Sequence, residues 1–172
     1  MLDDWRADGE TMVETLEQPL APLLDSHVRN FLMFARIGRL ATADRNAKPH
    51  NVPVCFCFDG LRFYFVVDEK PKRQGSLGLK RMRNIAENPS VALIVDHYEE
   101  DWDHLAYVLV HGRAEVVEDA QEYMLAMRRL RDKYAQYRAM ALSPERNPMV
   151  RIEPQRVHVW GQRFSQPSGS QT

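Results

Sequence analysis

Cysteine is scarce: the 172 residues hold two, Cys55 and Cys57. Two positions apart, they cannot frame a secreted disulfide scaffold, and a reducing, cytoplasmic setting is the expectation. No apolar run of about 18 residues occurs, so no membrane-spanning helix and no membrane partner are expected. The opening Met1-Leu2-Asp3-Asp4-Trp5 is acidic and has no apolar stretch behind it, which does not fit a secretory signal. There is no excess of one charge: Lys plus Arg is 23, Asp plus Glu is 24, and the net charge is −1. Nucleic-acid binders usually carry a clear basic excess, so that class is not expected. Gly-rich phosphate loops are missing, as is a Gly-x-Ser-x-Gly nucleophile elbow. What remains is a chain of one-domain length whose apolar content, 44%, suffices for a core without staples.

Hydropathy patterning then orders the elements. Residues 1–27 read as an N-terminal extension punctuated by Pro19 and Pro22. A helix is expected from Asp25 or Ser26 as N-cap, with Val28, Phe31, Leu32 and Ala35 on one face, until Gly38 breaks the pattern. Ile37 to Thr42 reads as a strand, and Asp44-Arg45-Asn46-Ala47 as a turn. Asn51 to Phe58 and Leu61 to Val67 alternate, with Asp59-Gly60 between them. They are expected to form a hairpin with a two-residue turn. A helix over 75–87 ends at Asn88-Pro89. Strands follow at Val91 to Val95 and at Leu105 to Val117, the second with Gly112 as a bulge. Asp119 caps a helix running to about Met140, with Tyr123, Met127, Leu130, Tyr134 and Tyr137 as a core stripe. Met149 to Trp160 is a last strand, interrupted by Pro154, and 163–172 reads as a disordered tail. Hairpins and short helices between alternating strands predict a mainly β (α+β) fold, a small antiparallel barrel with peripheral helices.

Three segments carry chemistry. Lys70, Lys72, Arg73, Lys80, Arg81 and Arg83 place six cations and no acid between positions 70 and 83. A proline-stiffened loop followed by a helix start suits a phosphate; a solvated basic helix face fits the same pattern. Pro49 and Pro53 cannot donate ladder hydrogen bonds, so their strand reads as an edge or rim. Free backbone groups there suit a planar ligand, while edge protection is the alternative. Residues 96–104 hold five carboxylates and two histidines without the spacing or the glycine of a calcium loop. They read as an acidic loop with Tyr98 and Trp102 as an aromatic plug. Cys55 and Cys57 share a strand face and lack the second pair that makes zinc spacing specific, so no metal site is assigned.

In order, Arg39-Leu40-Ala41-Thr42, Lys48-Pro49-His50-Asn51-Val52-Pro53-Val54, Val67-Asp68-Glu69-Lys70-Pro71-Lys72-Arg73, Leu79-Lys80-Arg81-Met82-Arg83-Asn84-Ile85 and Asn88-Pro89-Ser90-Val91-Ala92-Leu93 form a series. With Asp96-x-Tyr98-x-Glu100-Asp101-Trp102, it resembles the pyridoxamine 5′-phosphate oxidase-like split-barrel family. The likeness is greatest to the branch of probable coenzyme F-420-dependent enzymes. It covers about residues 28–162. The resemblance implies a homodimer with cofactor sites at the subunit interface and F-420 or FMN as cofactor. The backbone of Val52, Pro53, Val54 and Cys55 would lie against the ring. Lys70, Lys72 and Arg73 would hold its phosphate, and Trp160 would reach cofactor or substrate from the partner chain. Hydride transfer to or from a small organic substrate is the implied activity, with no acid–base pair of catalytic residues. A non-catalytic flavin binder, or a heme or tetrapyrrole binder using His50, His97 or His111, is the rival reading. The chain departs from the branch at Ala106 and Leu109, where an aromatic and a cation are usual, which predicts a larger, less basic pocket.

Overall fold

The computed structural model describes residues 13–15, 25–68, 79–161 and 164. One antiparallel sheet dominates, in the order β3-β2-β6-β7-β8-β5-β4, with β1 beside β8. These strands are β1 (Val13–Thr15), β2 (Gly38–Ala43), β3 (Pro49–Val54), β4 (Cys57–Phe58), β5 (Phe63–Val66), β6 (Ser90–His97), β7 (Ala106–Val116) and β8 (Met149–Trp160). Helices α1 (Ser26–Phe34), α2 (Lys80–Glu87), α3 (Ala120–Lys133) and α4 (Ala135–Arg138) sit around it. The architecture is the expected antiparallel split barrel with peripheral helices.

Alternation explains the curled sheet. In β6, Val91, Leu93 and Val95 are buried while Ala92, Ile94 and Asp96 are half-buried on the other side. The inner residues join Leu40, Phe56, Phe63, Phe65, Val108 and Ile152 in one core. A second core lies against α3, where Cys57, Tyr64 and Val66 meet Tyr123, Met127 and Leu130. β5 is therefore buried at all four positions, because both of its faces are covered.

The caps follow the sequence. The Asp25 carboxylate accepts from the His27 N–H at 2.6 Å, and the Asp119 carboxylate accepts from the Glu122 N–H at 2.6 Å. Asp119→Ala leaves an α3 donor without its partner. It should cost about 1 kcal/mol, read as a lower urea midpoint with an unchanged slope.

Three expectations are corrected. The stretch from Asn51 to Phe58 is not one strand of a hairpin. It breaks at Cys55–Phe56; β3 pairs with β2, and only β4 pairs with β5. The Asp59-Gly60 turn is also longer than two residues, since Phe58 lies opposite Phe63. The Asp59 carboxylate takes the Leu61 and Arg62 N–H groups at 2.8 and 2.7 Å, and this side-chain turn displaces the tight one. Finally, Pro154 does not interrupt β8. It stands opposite Gly112 at a register shift, and β8 runs through. A Cβ on Gly112 would lie 2.5 Å from the Glu153 carbonyl oxygen, so the close approach requires glycine.

The helix expected from Asp119 to Met140 also pauses at Tyr134, where α3 ends and α4 begins. Of the helix expected over 75–87, α2 supplies Lys80–Glu87, and 75–78 lie outside the described residues.

Candidate active site

β3 stands at one end of the sheet path, paired with β2 alone. The proline-marked rim strand is thus an edge strand. Pro53 is exposed, Val52 is half-buried and Val54 is buried, and Cys55, just past the strand, is half-buried. Val54 is spent on the core, which leaves only its backbone free for other contacts. Lys70, Lys72 and Arg73 fall within 69–78, outside the described residues.

The described residues on either side of 69–78 are firmly tied. The Val67 N–H donates to the Pro148 carbonyl at 3.0 Å, and the Asn147 amide donates to the Val67 carbonyl at 3.0 Å. Asp68 is buried and accepts from the Tyr137 hydroxyl at 3.2 Å. Burial, with the neighbouring Asp68 charge among the smaller causes, pushes the Tyr137 phenol well up. On the far side, Arg81 is half-buried, and its Nε has no hydrogen-bond partner among the described residues. Burial pulls the Arg81 pKa down, opposed in part by Asp68 and Tyr137. A buried Nε with no partner, on a guanidinium that already feels Asp68, is a donor that an anion could take. In the sequence Arg81 is one of six cations that suit either a phosphate or a solvated helix face; its burial is a tertiary fact.

Lys80 is committed elsewhere. Its ammonium lies 2.8 Å from Asp44 in the β2–β3 turn. The Asp44 carboxylate also accepts the Asn46 and Lys48 N–H groups, each at 3.0 Å. The Lys80 contact foremost, then these backbone donors, holds the Asp44 pKa down at about 2. A carboxyl with a lowered folded-state pKa contributes stability above its ordinary pKa of 3.8 and loses it as pH falls toward about 2. Urea midpoints of wild type and Asp44→Asn should therefore differ near about pH 6 and converge as acid approaches about pH 2.

Trp160 ends β8, 46% exposed, and stacks on Tyr107 at 5.5 Å between centroids; Tyr107 stacks in turn on His158 at 5.7 Å. These rings share the outer sheet face with half-buried Ala41, Ala92, Ile94 and Leu109, bordered by the Arg39–Asp96 ion pair. Ala106 and Leu109 do not share a pocket. Ala106 is buried inside the barrel and Leu109 lies on the outer face. A pocket lined by both positions is therefore excluded, because alternation sends Ala106 and Leu109 to opposite faces of β7.

The histidines are dispersed. His50 lies on β3 and His111 is exposed on β7. His97 and His104 both meet the Glu99 carboxylate, at 3.1 and 3.3 Å. Among the described residues no cluster of His, Cys, Asp or Glu side chains has the arrangement of a metal site. A cleft of about 550 Å³ between α2 and the start of α3 is lined by Glu115, Glu122 and Arg151 among others. There Arg151 reaches Glu122 at 2.9 Å and Glu115 at 3.0 Å, so its charges are already matched. It contains no β3 residue. No helix among the described residues is long and apolar enough to cross a membrane.

Comparison with known proteins agrees with this geometry. Residues 24–161 match the family described as pyridoxamine 5′-phosphate oxidase. The chain is 30% identical over 130 residues to the 5a,11a-dehydrotetracycline/5a,11a-dehydrooxytetracycline reductase of Streptomyces rimosus, covering 72% of this chain and 73% of that one. In fold it is similar to the conserved hypothetical protein Rv2991 of Mycobacterium tuberculosis, with a TM-score of 0.64, 18% identity, and coverage of 92% and 98% of the two chains. It is also similar to an F420 reductase, with a TM-score of 0.53, 22% identity, and coverage of 75% and 94%. With a barrel, a free rim strand and an ordered motif series that all coincide with the matched span, the chain belongs to the pyridoxamine 5′-phosphate oxidase family, a family of oxidoreductases.

Proposed function

We propose that this protein is a flavin- or deazaflavin-dependent oxidoreductase, with F-420 the leading cofactor and FMN the second, acting as a homodimer on a small organic substrate. The observation that carries the reading is the 30% identity to a reductase across 130 residues of the barrel. The residues present fit such a group. β3 offers an edge backbone beside exposed Pro53 and half-buried Val52 and Cys55 for a planar ring. Arg81 offers an unmet buried donor for an anionic tail, alongside Lys70, Lys72 and Arg73. The outer face with Ala41, Ala92, Ile94 and Leu109 is small and apolar enough for a second protomer to cover, with Trp160 at its margin.

A bound ring of this class supplies the hydride chemistry; the chain's part is to bind it, orient it and keep water away. No acid–base pair is assigned. With Lys80 paired to Asp44, the remaining cations from Lys70 to Arg83 still outnumber what the single phosphate of FMN needs, which favours the long polyanionic tail of F-420.

The deciding experiment is reconstitution of purified protein with each cofactor, followed by absorbance and by light scattering for mass. Tight binding of one cofactor to a dimer supports the reading. Failure of both to bind, or a monomer in the presence of bound cofactor, overturns it. A Soret band after heme addition would favour the tetrapyrrole reading instead. Tight cofactor binding without turnover on quinones, tetrapyrroles or enones would favour a non-catalytic binder.

A further inference from the structure

The backbone at the break between β3 and β4 meets the Tyr134 hydroxyl, while the Cys55 side chain meets that of Tyr137. At Cys55–Phe56 the chain leaves one strand pairing and has not yet entered the next. The Phe56 N–H donates instead to the Tyr134 hydroxyl at 3.1 Å. The hydroxyl oxygen also lies 2.9 Å from the Phe56 carbonyl and 2.7 Å from the Arg36 carbonyl, two acceptors for its one proton. Arg36 lies in the link between α1 and β2, and Tyr134 in the link between α3 and α4. Three connections of the fold therefore meet at one atom.

The contact is closely surrounded. Tyr134 is 6% exposed. The Arg36 guanidinium lies 5.1 Å from its ring centroid, the Lys133 ammonium lies 4.1 Å from that of Phe56, and Tyr137 packs edge-on at 5.5 Å. Burial pushes the Tyr134 phenol up to about 12, so the hydroxyl keeps its proton at neutral pH.

A trans peptide is planar, and its N–H and C=O point to opposite sides. No cis peptide occurs among the described residues. Fixing the Phe56 N–H toward Tyr134 thus fixes the Cys55 carbonyl, the other half of the same peptide, on the side away from it. We infer that Tyr134 is a positioning residue, whose hydroxyl aims the Cys55 carbonyl at the edge of the cofactor ring from behind the strand. This rests on the flavin or deazaflavin reading above.

The test compares Tyr134→Phe with Tyr123→Phe. Tyr123 lies on the same stripe, is 2% exposed, and donates to the Asn147 carbonyl at 3.1 Å, so its variant loses a comparable buried bond away from β3. Amide hydrogen exchange of the ligand-free protein, corrected for global stability, should be at least about tenfold faster at Phe56 in Tyr134→Phe and unchanged there in Tyr123→Phe. Affinity for FMN and F-420 should fall by about tenfold or more in Tyr134→Phe, with a shifted visible band of the bound ring; Tyr123→Phe, whose partner Asn147 also holds Val67 beside the proposed phosphate-binding segment, should keep the wild-type band whatever its affinity. Equal Phe56 exchange in the two variants overturns the inference, as does wild-type affinity and spectrum in Tyr134→Phe. If neither cofactor binds wild-type protein, the flavin reading falls and takes the ring half of the inference with it. The exchange measurement still decides whether Tyr134 holds the 55–56 peptide.

Discussion

Replacing Lys70 and Lys72 together by alanine is expected to weaken F-420 or FMN binding by about 3–5 kcal/mol while thermal unfolding of the ligand-free protein stays unchanged. Each lysine offers a charge-assisted bond to a phosphate oxygen, worth about 1.5–3 kcal/mol when the site is partly desolvated. Pro71 between them limits the conformations lost on binding. The described residues that flank this segment are tied down, Val67 and Asp68 on one side and the start of α2 on the other. Arg81, with its unmet buried donor, stands in the first turn of that helix. It is the described group that would share the same anion, and Arg81→Met should deepen the loss in the double variant. Titration by flavin fluorescence quenching measures all three proteins. An unchanged dissociation constant in the lysine double variant would place the phosphate elsewhere.

Much of the barrel is legible because its strands obey one rule over many residues. In β6, β7 and the first half of β8, inward positions are apolar without exception, and the bulge at Gly112 is marked by the one residue with no side chain to collide. Helix starts at Asp25 and Asp119 are likewise local, since a capping carboxylate acts within three residues. The break at Cys55–Phe56 is hidden for the opposite reason. Alternation of Val52, Val54, Phe56 and Phe58 runs straight through it, while pairing partners change from β2 to β5. That change is imposed by barrel closure and stabilised by Tyr134, 78 residues further along. Arg81 shows the same limit: cations on a helix look alike in sequence until the sheet buries one of them. The tyrosine stripe was legible as core, yet the work of its hydroxyls was not, because a hydroxyl's partner is chosen by tertiary contact.

Lys133→Met should stabilise the protein by about 2 kcal/mol at neutral pH, which is unusual for loss of a charge. The Lys133 amine is buried, and its nitrogen has no hydrogen-bond partner among the described residues. Burial pulls its pKa down to about 8, only partly opposed by the nearby Cys57 and Cys55 thiols. The gap from the ordinary 10.5 corresponds to about 3 kcal/mol held against the charged form. Methionine keeps the aliphatic stem, and loss of the ammonium's contact with the Phe56 ring returns about 1 kcal/mol of that gain. The sign of the pH dependence follows from proton counts. Between about pH 8 and about 10.5 the unfolded chain holds a proton on this amine that the folded chain has released, so this group makes stability rise with pH across that window. Below about pH 8 both states carry the proton, and the full penalty stands. The Cys57 thiol, pushed up to about 12 by burial, works in the other direction above its ordinary 9.0, so the slope of the wild type alone would mislead. The difference between wild-type and Lys133→Met urea midpoints isolates the amine. It should be constant from about pH 6 to 8 and shrink toward about pH 10.5. A variant less stable than wild type at every pH would mean that the ring contact outweighs the lost hydration.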